Sequence, residues 1–418
     1  MPRVLITSHY TSERLGGEAA IPLRLYKRLR RRGVETWLVA HDSDREELLA
    51  EFAAEPDRLI LTSSLPGMTP VFTRGEKLPD GPRAVAWAVT QLERQLAMVP
   101  VVRRLVRELG IDVVHQPIGI APSVPSPFRK LGAPVVIGPL NGGMVMPAAF
   151  RDRDSGLARV TQGMRRPLGG LGHQVLRGKL EAAAVLVANE RTRALLPAAA
   201  RRVSRPMPES AVVLEDWPEK EQDPLHTGPV RFVFLGRLVP YKSADLALHA
   251  FGRAWRQRPE IRLEIIGDGP ERPALEAQAA ELGIADVVEF RGWLTKPEVS
   301  ERLRRSDVFL YPSLREPGGT VVLEAMATGL PSIVADWGGP AEYIAEGTGV
   351  RIDVSSRGRF LDDMAAAMVR LAEDPELRVR AGRAARARVA AHFEWDGLVD
   401  QLLTIYAEVS PASRRTTR

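Results

Sequence analysis

The chain has 418 residues, with 58 lysines and arginines against 52 aspartates and glutamates, a formal net charge of +6, and no cysteine. That length accommodates two ordinary domains, each with its own core, and the lack of cysteine excludes disulfides and thiolate metal sites. No apolar run reaches membrane-spanning length and the chain opens directly on an apolar strand, so a cytoplasmic protein is expected.

Basic clusters at residues 27–32, 103–107 and 165–166 all precede residue 210. They read either as a patch for an anionic membrane surface, giving a peripheral protein on the inner face of the plasma membrane, or as solvated helix faces in an arginine-rich composition. Nucleic acid is not expected as a partner, because no aromatic residues interleave the arginines and no helix-turn-helix or RNP pattern appears.

RVLITS (residues 3–8) predicts a buried parallel strand, and HYTSERLGGEAAIPLRLYKRLRRRG leads from it through Gly16 and Gly17 into a basic helix ending at Gly33. Strand, glycine loop and helix open a Rossmann-like unit. ETWLVAH (35–41) is a second strand. Asp42-Ser43-Asp44 follows it, and with REELLAEF directly behind, the triplet predicts a helix cap rather than a metal site.

Residues 63–82 are rich in Pro, Gly, Ser and Thr and predict a long loop. A helical pattern then runs through Leu109 with a break at Pro100. DVVHQP (112–117) is a strand ending in His115, which is either satisfied in the core or faces a ligand. APVVIGPLNGGM (133–144) repeats the strand-then-glycine design, with Asn141, Gly142 and Gly143 at its ligand edge. The basic, glycine-rich residues 151–178 predict a mobile stretch, AAAVLVANE (182–190) resumes the sheet, and DWPEKEQDPLHTGP (216–229) marks a domain boundary.

The second half opens with VRFVFLGRLVPYK (230–242), a strand followed by a loop holding Gly236, Arg237 and Lys242. Two cations beyond a strand-end glycine suit a diphosphate, since Arg binds two oxygens at once and Lys acts as a point charge. IRLEIIGDGPE (261–271) turns at Gly267, and DVVEFRGW (286–293) is the next strand, carrying Arg291 and Gly292. TKPEVSERLRRS predicts a helix with a Thr295–Glu298 capping box. PSIVADWGGPAEYI (331–344) adds a strand and a Gly338-Gly339 turn, helices occupy 359–392, and FEWDGLVDQLLTIYAEV predicts a final amphipathic helix before a disordered tail.

The chain is organised around REPGGTVVLEAMATGLP (315–331), which follows the apolar run DVFLYPSL (307–314). The run predicts a parallel strand ending at the ligand edge of its sheet. Gly318 and Gly319 let backbone approach a ligand, and a helix from about Thr320 to Thr328 is stopped by Gly329 and Pro331. Free N–H groups and the positive end of the helix dipole make such a turn an anion site. Glu316 and Glu324 both border it.

Glu316 and Glu324 with this spacing, together with the Gly236-Arg237…Lys242 loop, resemble the signature of family 4 retaining glycosyltransferases. The similarity is strongest over residues 230–352, and the segment around Asn141 is similar to enzymes that build bacterial polysaccharides. The resemblance implies an α/β chain of GT-B fold, with two Rossmann-like doubly wound parallel-sheet domains facing a central cleft. Residues 1–217 would form an acceptor domain and 229–393 a nucleotide-sugar donor domain, with the helix 394–410 packing back on the first. Glu316, Arg237, Lys242 and His115 would be catalytic. Gly16, Gly17, Gly236, Gly267, Arg291, Gly318, Gly319, Thr320, Val321 and Glu324 would bind the donor, and Asn141 and Gly142 the acceptor.

The activity implied is metal-independent, cofactor-free hexosyl transfer from a UDP- or GDP-linked sugar to a glycan, lipid-linked or small-molecule acceptor. This sequence departs from the family at Pro117, where a second histidine is common, and at Gly318, where an aromatic residue is common. A GT-B nucleotide-sugar epimerase and a non-catalytic sugar-nucleotide-binding partner subunit remain as alternatives.

Overall fold

The computed structural model describes residues 1–15, 17–65, 80–119, 121–153, 171–221 and 228–410. Gly16 lies outside the described residues, as do parts of the long loop, the glycine-rich stretch, the boundary segment and the tail. Of the described residues, 1–143, 171–209 and 398–410 form one compact unit, and 144–153 with 210–397 form the other.

The first unit holds seven strands: β1 (Val4–Ser8), β2 (Thr36–His41), β3 (Leu59–Thr62), β4 (Val113–Gln116), β5 (Val135–Leu140), β6 (Ala184–Val187) and β7 (Ser204–Pro206). They pair in the order β3-β2-β1-β4-β5-β6-β7, every pair parallel. Leu5, Val39, Val114, Ile137 and Val185 fill the core between the sheet and its helices. Each fully buried aliphatic of this kind contributes about 1.5–3 kcal/mol.

The second unit holds β8 (Arg231–Leu235), β9 (Arg262–Ile266), β10 (Val288–Gly292), β11 (Val308–Tyr311), β12 (Ser332–Ala335) and β13 (Gly349–Ile352). Their order is β10-β9-β8-β11-β12-β13, again all parallel. Strand order reverses between β8 and β11, and ligands of open parallel sheets bind beyond the carboxyl ends of the strands at such a reversal. Connection order therefore marks the β8 and β11 loops before any side chain is considered.

The central strands match the apolar runs of the sequence, whereas β3, β7 and β13 do not stand out in it. All three are sheet edges and only partly buried, so they carry no sustained apolar pattern. The helix Asp80–Glu108 runs through Pro100 without the expected break. A helical proline loses one backbone hydrogen bond, and buried Met98 and Val102 anchor the helix on either side of it.

Residues 144–153 depart from the sequence-based division of the chain. Phe150 is fully buried in the core of the second unit, its ring 5.4 Å from that of Phe360, and Arg153 binds both carboxylate oxygens of Asp245 at 2.7 Å. The boundary near residue 210 also precedes the polar segment 216–229: Val212 N–H donates to Phe393 at 2.9 Å, and Trp217 is buried. At the described end of the glycine-rich stretch, residues 171–178, His173 and Gly178 are buried while Leu171 and Val175 are exposed. The Thr295–Glu298 capping box is present. In the final helix, Trp395–Val409, the buried Leu402, Ile405 and Tyr406 pack with the first unit.

Candidate active site

The loops after β8 and β11 are tied together by backbone before their side chains meet. Tyr241 O accepts from Leu314 N at 3.0 Å and from Ser313 Oγ at 3.1 Å. This brings Lys242, in the short turn Pro240–Lys242, against Glu316. Lys242 Nζ donates to Glu316 Oε2 and, at 2.5 Å, to the Tyr311 hydroxyl, which in turn donates to Glu316 Oε2 at 3.1 Å. The two charged side chains are 16% and 13% exposed, so the pair is shielded yet reachable. Tyr311 is fully buried, and burial, followed by the Glu316 charge, raises its hydroxyl well above the ordinary tyrosine range.

Sequence reasoning passed over Tyr311 as one more apolar residue of a buried strand. Its signal was the hydroxyl, the only polar group in VFLY.

Gly319, at φ +86°, caps the helix Thr320–Ala327 and lets the chain turn sharply after Glu316. Thr320, Val321 and Glu324 at the start of this helix are partly exposed, and Gly318 is buried beneath them. The Glu316 loop is held by Gly339, where the sequence predicted only a turn and the structure has the start of the helix Gly338–Tyr343. Gly339 N–H donates to Glu316 O at 2.9 Å, and a Cβ there would lie 2.1 Å from Pro317 O. Gly236, Gly267 and Gly292 line the same sheet edge, with Gly236 N bonded to Ile266 O and Gly267 N to Gly292 O. A Cβ on Gly267 would come 2.0 Å from Gly236 O. Arg237 is exposed just past the end of β8.

Several expected site residues are bonded within their own unit. His115 is not available for catalysis: it is fully buried, with Nε2 2.6 Å from Gly138 O and Nδ1 2.6 Å from the Tyr406 hydroxyl. Because a carbonyl only accepts, Nε2 carries the proton and Nδ1 accepts from tyrosine. Arg291 is held in an ion-pair cluster with Glu289 and with Glu264, 2.5 Å away, which Arg302 also approaches. Its guanidinium is bonded to these two carboxylates.

Asn141 is buried, its amide bonded to Glu209 at 3.1 Å and its oxygen accepting from Asn189 at 3.2 Å. Gly142 is bonded through both backbone atoms, to Thr192 Oγ1 and Arg191 Nε. Gly17, at φ +53°, begins the helix Gly17–Arg31.

Asp42-Ser43-Asp44 is a short 3₁₀ turn whose cap is His41 Nδ1, accepting from Ser43 N at 3.1 Å, and Asp44 makes no side-chain cap bond to the next helix. The basic cluster at 27–32 is largely committed too. Lys27 pairs with Glu51 and Arg30 with Glu55, both at 2.6 Å, Arg32 pairs with Asp400, and Arg28 is buried. Arg31, Arg103, Arg104 and Arg107 remain on the exposed surface.

Four histidines are pushed down from the usual 6.5, in each case mainly by burial: His9 to about 3, and His41, His115 and His173 to about 4. Folded-state values below the unfolded one mean that the folded chain binds fewer protons on acidification. Their stabilisation is complete above pH 6.5 and is lost as pH falls toward 4. At pH 5 each of the deeply buried pair, His9 and His115, is expected to cost about 2 kcal/mol. Urea unfolding at pH 7.5 and pH 5.0 checks this, and equal stability at both would refute it.

Residues 215–388 match the model of glycosyl transferases group 1. This segment of the chain is similar to the group 1 glycosyltransferases. The chain is 35% identical over 199 residues to a D-inositol 3-phosphate glycosyltransferase of Streptomyces avermitilis, a match covering 44% of this chain and 41% of that protein. It is 32% identical over 199 residues to a glycogen synthase of Mycobacterium tuberculosis, covering 48% and 47%. These matches thus span less than half the length of the curated relatives.

Solved structures resemble the whole chain. Anabaena HepE in complex with UDP aligns with TM-score 0.65 at 14% identity over 97% of this chain and 100% of that one. Sucrose-phosphate synthase of Thermosynechococcus elongatus aligns with TM-score 0.64 at 18% identity, covering 97% and 98%. The two parallel-sheet units are those of the GT-B fold. The group 1 segment contains Lys242, Tyr311, Glu316 and the glycine turns described above.

Proposed function

We propose that this chain is a retaining, metal-independent glycosyltransferase that moves a sugar from a nucleotide-diphosphate sugar to a glycan, lipid-linked or small-molecule acceptor. The observation that carries the reading is the meeting of Lys242 and Glu316 at the strand-order reversal, beside the N-terminus of the helix Thr320–Ala327. Departure of a nucleoside diphosphate leaves positive charge on the sugar and builds negative charge on the leaving phosphate. Lys242, Arg237 and the helix N–H groups answer the second charge. Glu316 orients the sugar, and the departing phosphate takes the acceptor proton on the same face, so the anomeric configuration is kept. UDP in the HepE structure supports a UDP-linked donor, with GDP-linked sugars as the competing class.

The test is a panel of UDP- and GDP-sugars, read first as thermal stabilisation and then as turnover with glycan and lipid-linked acceptors. Transfer with retained anomeric configuration supports the proposal. Release of an altered sugar without acceptor would instead identify an epimerase, and binding without turnover a partner subunit. Because side-chain cations and backbone amides do the work of a metal, activity is expected to survive EDTA. Loss on chelation with recovery on adding manganese would overturn that part.

A further inference from the structure

Lys242 and Glu316 pose a problem for the proposed chemistry. A lysine paired with a carboxylate is neutralised by it, whereas the leaving diphosphate needs the ammonium for itself. The two side chains sit on separate loops, and a lysine on its flexible stem loses its aim once the pair opens. Between them lies the Tyr311 hydroxyl, bonded to both.

Tyr311 closes β11, a central strand hydrogen-bonded to β8 and β12. Its ring lies 5.9 Å from both Phe234 and Phe309, and it is fully buried. Its oxygen is therefore a fixed point of the core, in contrast to the side chains it touches. Burial and the neighbouring carboxylate keep this hydroxyl protonated, so it offers Lys242 a lone pair without a charge that would compete with phosphate.

We propose that the Tyr311 hydroxyl is a positioning group for the transfer proposed above, holding the Lys242 ammonium toward the leaving diphosphate when Glu316 turns from lysine to the donor sugar. The inference rests on that reading of the site. Lys242 is constrained to an arc about the tyrosine oxygen, so it reaches the developing phosphate charge without a conformational search. An interaction realised mainly in the transition state lowers kcat when removed and leaves KM nearly unchanged.

Tyr311→Phe keeps the ring and removes only the oxygen. UDP release from UDP-glucose is expected to fall about tenfold in kcat, the worth of one hydrogen bond, with KM changed less than about threefold. UDP affinity by calorimetry, which also reports that the variant is folded, should stay close to wild type. Adding Lys242→Ala to Tyr311→Phe should cost less than adding it to the wild-type chain, because the two act as a unit.

Wild-type kcat in Tyr311→Phe, or fully additive losses in the double variant, would overturn the positioning role while leaving Lys242 in place. A general loss of UDP binding would mark Tyr311 as merely structural. Wild-type turnover in Lys242→Ala would sink the site reading itself, a result distinct from the others.

Discussion

Replacing Lys242 with alanine is expected to lower donor turnover by on the order of a hundredfold or more. The ammonium is a cation at the point where the sheet order reverses, and it donates to both Glu316 and Tyr311. The variant should also lose stability, because a mostly buried carboxylate is left facing a tyrosine without its counter-charge. Exposure of Glu316 moderates that loss to about 2 kcal/mol.

The two effects separate in a second variant. Lys242→Ala with Glu316→Gln removes the stranded charge, so the unfolding midpoint should recover while turnover stays low. Arg237→Ala, at an exposed position past the end of β8, should leave stability within about 0.5 kcal/mol and still depress turnover. Wild-type rates in both single variants would refute the assignment of this loop to the diphosphate.

His115→Ala should give the opposite profile, with stability lost and chemistry spared. The imidazole joins the carbonyl of Gly138 in β5 to Tyr406 of the last helix, and its ring meets the Tyr406 ring edge-on at 5.6 Å. Alanine leaves a cavity, a buried carbonyl and a buried hydroxyl, each without its partner. A loss of about 3 kcal/mol is expected from urea unfolding. Tyr406→Phe, which removes only the hydroxyl, should cost about 1 kcal/mol. Turnover per folded molecule should remain near wild type in both. A stable His115→Ala chain with a hundredfold slower rate would return the histidine to the catalytic machinery.

A strand-end histidine reads the same in sequence whether it faces a ligand or the core. Its role here depends on Tyr406, 291 residues away along the chain. The partners of Asn141 and Arg291 were hidden in the sequence for a related reason. Each stands at or near the ligand edge of its sheet in linear order, yet Asn141 is held by Glu209 and Arg291 by Glu264, partners set by how strands and helices stack.

The sequence by itself determined the parallel α/β architecture, because buried strands require unbroken apolar runs and the glycines and prolines punctuate them. It also determined where the Gly236–Lys242 loop and the Glu316 loop stand, since residues adjacent to a strand end stay adjacent to it in the fold. Only the tertiary structure revealed three of the four edge strands, β3, β7 and β13, because they are only partly buried and have weak periodicity. It alone decided that residues 144–153 pack in the second unit, that Gly339 supports the Glu316 loop, and that Tyr311 stands between lysine and glutamate. Each of these depends on contacts between distant stretches of chain. Apolar pattern records that a residue is buried, and hydrogen-bond partners come only with the order in which the strands assemble.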